Sequence, residues 1–260
     1  MTAIDTAGMP RPSFGVGARI NDTVSIFFGR FAVFGVIGIV AGLLMELPSF
    51  LVLGADSTNV AAGGDEALLA QNPVLFVVIS VAAPLIVYSI LTAVLVLVAY
   101  DAKAGRGTNI GAAVATAFRR ILPLIVMTIA AWLLIGMGFA LLIVPGLWLL
   151  GVLSVFVPVI MVEGNGFGSL SRSSDLTKGY RWPIVGFIVI VYVIFYIVTL
   201  ALAGLGVMVS TASPIVLLIL QGVVSGVAAS FVSIAVAVTY ARLREIKDGV
   251  GFTDLADVFA

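Results

Sequence analysis

Long apolar runs alternate with short polar stretches along the whole chain, and the polar stretches themselves carry helical spacing. Apolar residues fall at Val16, Ile20, Val24, Phe27 and Phe31, while Arg19, Asp22 and Ser25 take the other face. Steps of three and four predict an amphipathic helix suited to a membrane surface. Arg30 stands where the chain turns inward. Residues 31–53 then form an apolar run long enough to cross about 30 Å of hydrocarbon. Further spans are predicted over 74–97, 122–143, 147–162, 183–208 and 214–239. Pro84 is expected to kink the second span, and Val144-Pro145-Gly146 to reverse the chain between the third and fourth. Ile110, Val114, Ala117, Phe118 and Ile121 mark a second surface helix. The last span is expected to continue through Tyr240, Arg242, Arg244 and Lys247 until Gly249 ends it.

The polar stretch before the fifth span, 157–182, is the densest in signals. It leaves the membrane, makes a short polar helix closed by Gly179, and re-enters at Pro183. Glu163 ends a helix, where the dipole disfavours a negative charge, so a basic partner is expected. The candidates are Arg172, Lys178, Arg181 and Arg242. Gly164 and Gly166 let the backbone break, and Gly179 supplies a left-handed cap. A structural clamp is favoured here over a ligand site.

The entries to the three surface-helix units compare directly: Phe28-Gly29-Arg30-Phe31, Phe118-Arg119-Arg120 and Gly179-Tyr180-Arg181-Trp182. Each places an aromatic ring and an Arg where the chain meets the membrane, which is where such side chains are favoured. Duplication of one unit, or an interfacial anchor used three times, gives the same pattern.

Composition agrees with the hydropathy. Of 260 residues, 62% are hydrophobic and 10% charged, against roughly a quarter charged in soluble domains. All 13 Lys and Arg residues fall in the N-terminal segment, the second and fourth loops or the C-terminal extension. The loops on the opposite side hold none, so the positive-inside rule predicts both termini in the cytoplasm. The expected architecture is an all-α membrane protein with six transmembrane helices as three hairpins, each preceded by a cytoplasmic amphipathic surface helix. It forms a single integral membrane domain over 1–260, with 1–13 a flexible leader and 244–260 a cytoplasmic tail. A cleaved signal peptide is not expected, because the first apolar run begins only near Phe31 and is of full length. Asp65 and Glu66 are expected to start a short helix within the loop over 54–73.

The chemistry available is limited. Cysteine and histidine are absent, which removes thiolate chemistry, the commonest general base and the commonest metal ligand. No Gly-rich phosphate loop or paired-acid spacing is present. An enzyme is therefore not expected, nor a cofactor, a metal or a nucleic-acid partner. Glu46 is the one acidic or basic residue deep within a predicted span. Its insertion costs on the order of 3 kcal/mol, offset by 14 Val, Ile, Leu and Phe residues at about 0.3 to 0.6 each. An intramembrane carboxylate is a functional candidate by default, so a proton or cation relay stands beside a simple packing role. Gly38 and Gly42 in the first span, and Gly222 and Gly226 in the last, have the small-xxx-small spacing that brings helices close. The basic ring, interleaved with Phe27, Phe118, Tyr180 and Trp182, suits anionic lipid head groups at about 1 kcal/mol per cation.

Pro158, Glu163-Gly164, Gly166, Ser173, Leu176-Thr177, Gly179 and Trp182 resemble the signature of the glycerophosphoryl diester phosphodiesterase membrane-domain family. Tyr240-Ala241-Arg242-Leu243-Arg244 resembles that family's usual ending. The resemblance implies a bacterial six-helix inner-membrane protein. Its phosphodiesterase members carry a separate catalytic domain, so their activity is not expected here. The expected role is a scaffold or envelope and lipid-homeostasis factor working through membrane lipids or a membrane-protein partner. The alternative is a small transporter or lipid-translocating protein using Glu46 and the polar face of the last span.

Overall fold

The computed structural model describes residues 12–53, 71–103, 109–209 and 213–249. These contain helices and connections and no strand. The short helix expected at Asp65 and Glu66, residues 1–11 of the leader and 250–260 of the tail lie outside the described residues.

Among the described residues nine helical elements follow in order. α1 is Val16–Gly29 and α2 is Phe31–Leu53. α3 comprises Pro73–Val77, a wider π-helical turn at Val78–Ala82, and Ala83–Lys103. α4 is Ile110–Arg119 and α5 is Ile121–Leu141. α6 is built from Ile143–Val152, Phe156–Pro158 and a π-helical turn at Val159–Glu163. α7 is Ser169–Thr177, α8 is Arg181–Val209 and α9 is Pro214–Asp248. Among the described residues five helices are long and apolar enough to cross a membrane, and counting α7 with the start of α8, bent by 101°, makes six. The described residues form an all-helical structure whose long apolar helices fit a multi-pass membrane protein.

The prolines act where their chemistry requires. Pro84 has no N–H to give to the carbonyl four residues back, and the helix widens just ahead of it, with the Ala83 N–H reaching back five residues to Val78. The reversal between α5 and α6 is sharper than expected and falls at Leu142, in extended backbone with φ −165° and ψ 159°. Val144-Pro145-Gly146 belongs to the first turn of α6 rather than to the reversal. Those first N–H groups have no intrahelical partner anyway, so a proline there costs no bond.

α1 and α4 meet the spans that follow them through single-residue elbows at Arg30 and Arg120. The Arg30 carbonyl accepts from the Phe34 N–H at 3.1 Å, and the Arg120 carbonyl from the Leu124 N–H at 3.0 Å. Between α7 and α8 the corresponding bond runs from the Ile184 N–H to the Tyr180 carbonyl at 3.0 Å, after Gly179 at φ 89°. Not every apolar residue of the expected surface-helix faces is covered. Thr23 and Phe27 are buried in α1, whereas Val24 and Phe28 are exposed, and Phe118 in α4 is exposed.

α9 is the spine. It packs most extensively on α2, and also on α3, α1 and α8. The α2–α9 crossing uses the paired glycines within the one chain. A Cβ on Gly42 would lie 2.8 Å from Gly226 Cα, and one on Gly222 would lie 3.1 Å from Leu43 Cα. Bare backbones can approach this closely because nothing projects between them. The Ser230 hydroxyl fastens the crossing by donating to the Phe34 carbonyl at 3.0 Å.

Candidate functional site

The site is assembled at the basic end of the bundle, where α6 breaks. Pro158 cannot donate to the Ser154 carbonyl and its ring crowds it, so α6 opens over residues 153–155. The Phe156 N–H turns to Leu153, 3.4 Å away, which leaves the Val152 carbonyl without its helical donor. α7 supplies the replacement: the buried Ser173 hydroxyl donates to Val152 at 2.7 Å, with Thr177 Oγ1 3.3 Å from the same oxygen. The short polar helix thus exists to satisfy a break in a span.

The end of α6 is closed from another direction. Arg120 donates through Nη1 to the carbonyls of Ile160 at 2.5 Å and Met161 at 3.0 Å, groups that a helix end leaves orphaned. Gly164 follows at φ 74°, and a Cβ there would sit 3.3 Å from Arg120 Nη2. Glycine is required both by the left-handed backbone and by the guanidinium beside it.

Glu163, the last residue of α6, lies at the centre of a two-carboxylate, two-guanidinium network. Arg172 on α7 grips it with Nε at 3.0 Å from Oε2 and Nη2 at 3.4 Å from Oε1. The same Nη2 reaches Asp248 at 2.6 Å. Arg244 lies between the two acids, 3.1 Å from Asp248 and 3.8 Å from Glu163. The Tyr240 hydroxyl donates to Glu163 Oε1 at 3.0 Å. Burial works against the Arg172 charge, but Glu163 and then Asp248 outweigh it and hold the guanidinium above its ordinary value. The charges cancel, both oxygens of Glu163 are engaged, and three helices are tied together.

Of the partners expected for Glu163, only Arg172 meets it. Arg181 instead stacks 4.6 Å over the Trp148 ring and donates to the Ser174 hydroxyl at 3.1 Å. Arg242 pairs with Glu245 at 2.8 Å and donates to the Ser13 carbonyl at 2.8 Å. Lys178 and Trp182 are exposed. Tyr240, Arg244 and Asp248 were not among the expected partners. Their signal was spacing: steps of four put all three on one face of α9. The end of the leader is held too, because the Tyr180 hydroxyl donates to Pro12 at 3.0 Å and Phe14 packs edge-on against Phe187.

Glu46 lies far from this network. It is half-buried on α2, and its Oε1 accepts from the Ser225 hydroxyl of α9 at 3.0 Å, beside the glycine crossing. Among the described residues no group of three or more acidic, His or Cys side chains is placed to hold a metal.

No protein-family model, curated protein or solved structure matches the chain.

Proposed function

We propose that the chain is a non-catalytic protein of the bacterial inner membrane, with both termini in the cytoplasm, acting as a scaffold or envelope and lipid-homeostasis factor. The observation that carries this reading is the division of labour at the basic end. Glu163, Arg172, Arg244 and Asp248 are consumed in a closed clamp, while the rings of Phe28, Phe118, Phe167 and Trp182, at or beside the turns of the chain, stay exposed. Arg119 and Lys178, beside two of those turns, are exposed as well. Rings and cations together suit an anionic lipid surface or a membrane-protein partner that brings its own acidic groups. The three elbows support three helix-plus-hairpin units on the cytoplasmic side, and the residues around Glu163 support kinship with the phosphodiesterase membrane-domain family.

The test is extraction of the full chain in native lipid discs, with co-purified proteins and lipids identified by mass spectrometry. A stoichiometric protein partner, or a selectively enriched anionic lipid lost in Lys178→Ala/Arg119→Ala, supports the reading. Bulk lipid alone, unchanged by those substitutions, overturns it.

A transporter or lipid-translocating role draws on a separate observation, the Glu46–Ser225 bond that joins the intramembrane carboxylate to the polar face of α9. Glu46→Gln keeps the shape and removes the ionisable group. Loss of cellular function with normal insertion would favour transport over the scaffold, and unchanged function would sink the relay.

A further inference from the structure

A cavity of about 100 Å³ lies beside the α6 break, between α3, α5, α6, α8 and α9. Its walls are mostly apolar, with Ala131, Ile135, Leu153, Val157, Val232 and Val236 among them. At 1.5 Å per residue, Thr128 and Trp132 lie roughly 10 and 16 Å along α5 from its basic end, and Tyr192 roughly 16 Å along α8. That depth is near the middle of a hydrocarbon core about 30 Å thick. Trp132 and Tyr192 line the cavity and are also 44% and 47% exposed on the outside, so its mouth faces the lipid between α5 and α8.

One side chain in the wall is unaccounted for. Hydroxyls within these helices habitually donate to the carbonyl four residues back, as Ser89, Ser233 and Thr239 do. Thr128 is just as buried, yet its Oγ1 has no hydrogen-bond partner. An unmade bond in so dry a place is costly unless something supplies the partner. Ser89 and Ser154, also in the wall, spend their protons on Leu85 and Gly151. Among the described residues no Asp, Glu, Lys or Arg lines the cavity, so a charged occupant would be left unpaired.

We infer that this cavity binds an uncharged, lipid-soluble molecule that enters from the bilayer and presents a carbonyl oxygen to the Thr128 hydroxyl, which turns about χ1 from its closed-off position to meet it. Its apolar body has the dimensions of one ring or a few chain carbons, since a dry cavity of about 150 Å³ accommodates benzene. Trp132 and Tyr192 flank the entrance, and Ala131 leaves the room that a larger side chain would fill.

The test uses the full chain in phosphatidylcholine nanodiscs with acetophenone, an uncharged one-ring ketone that couples to nearby C–H bonds on irradiation. Expected is saturable labelling confined to peptides around Ala131 and Tyr192. Ala131→Leu should lower it severalfold, and Thr128→Val should raise the half-saturating concentration about fivefold, the value of one hydrogen bond. Thr128→Val nearly preserves shape, so it decides the matter if the Ala131 variant fails to fold. Labelling that rises linearly and spreads over the outer faces of the spans would mean partition into lipid and would overturn the inference. Saturable labelling unaffected by Thr128→Val would overturn it as well. So would absence of saturable labelling with a higher Tm for that variant, the signature of a cavity holding only water.

Discussion

The Glu163 carboxylate and the Tyr240 hydroxyl meet at 3.0 Å, 77 positions apart in the chain, and their bond joins the broken span α6 to the spine α9. It belongs to the same carboxylate that Arg172 grips. Glu163→Gln should therefore cost about 2 kcal/mol, and Tyr240→Phe about 1.5, in unfolding measured in detergent. The double variant should cost less than the sum, because the uncharged amide weakens the same bond that Tyr240→Phe removes. Strict additivity would show that the network is not coupled.

The glycine crossing predicts a strongly position-dependent response to one methyl group. Gly42→Ala drives a Cβ into the backbone of α9 and should cost upwards of 2 kcal/mol, seen as a lower thermal midpoint and loss of monodispersity. Gly186→Ala, on an open face of α8, should change stability by less than about 0.5 kcal/mol. Equal effects would mean that α2 and α9 do not cross as described.

Ser173 and Thr177 are expected to act as one cap on the Val152 carbonyl. Ser173→Ala with Thr177→Val should destabilise by about 1 to 3 kcal/mol, since a buried carbonyl then goes unsatisfied. Hydrogen exchange should report faster opening of the amides around residues 153–156. Unchanged exchange there would remove α7 from its role in stabilising the break.

Orientation in the membrane is open to a direct check because the chain has no cysteine. Lys178→Cys should react with an impermeant maleimide only in inverted vesicles, and Ser213→Cys only from the outside of intact cells. The reverse pattern would place the basic end on the outer side.

Much of this architecture could be read from the chain alone, and for a physical reason. A bilayer demands long apolar helices and separates cations from the opposite face, so spans and their polar connections are written as local composition. The positions of Gly179 and Gly249 were legible for a similar reason, since a left-handed backbone position admits few other residues. The glycine pairs in α2 and α9 were legible as close-approach surfaces, though only the folded chain shows them meeting each other.

What the linear pattern could not decide was which polar group answers which. Arg172, Lys178, Arg181 and Arg242 are all candidate partners for Glu163, and composition ranks none above another. Tertiary structure chose Arg172, added Arg244 and Tyr240 from the far end of the chain, and sent Arg242 to the Ser13 carbonyl. It also set Thr128 against a cavity without a partner. Hydropathy is a property of each residue and survives in the string, whereas a hydrogen bond belongs to a pair and exists only once packing brings the two atoms within about 3 Å.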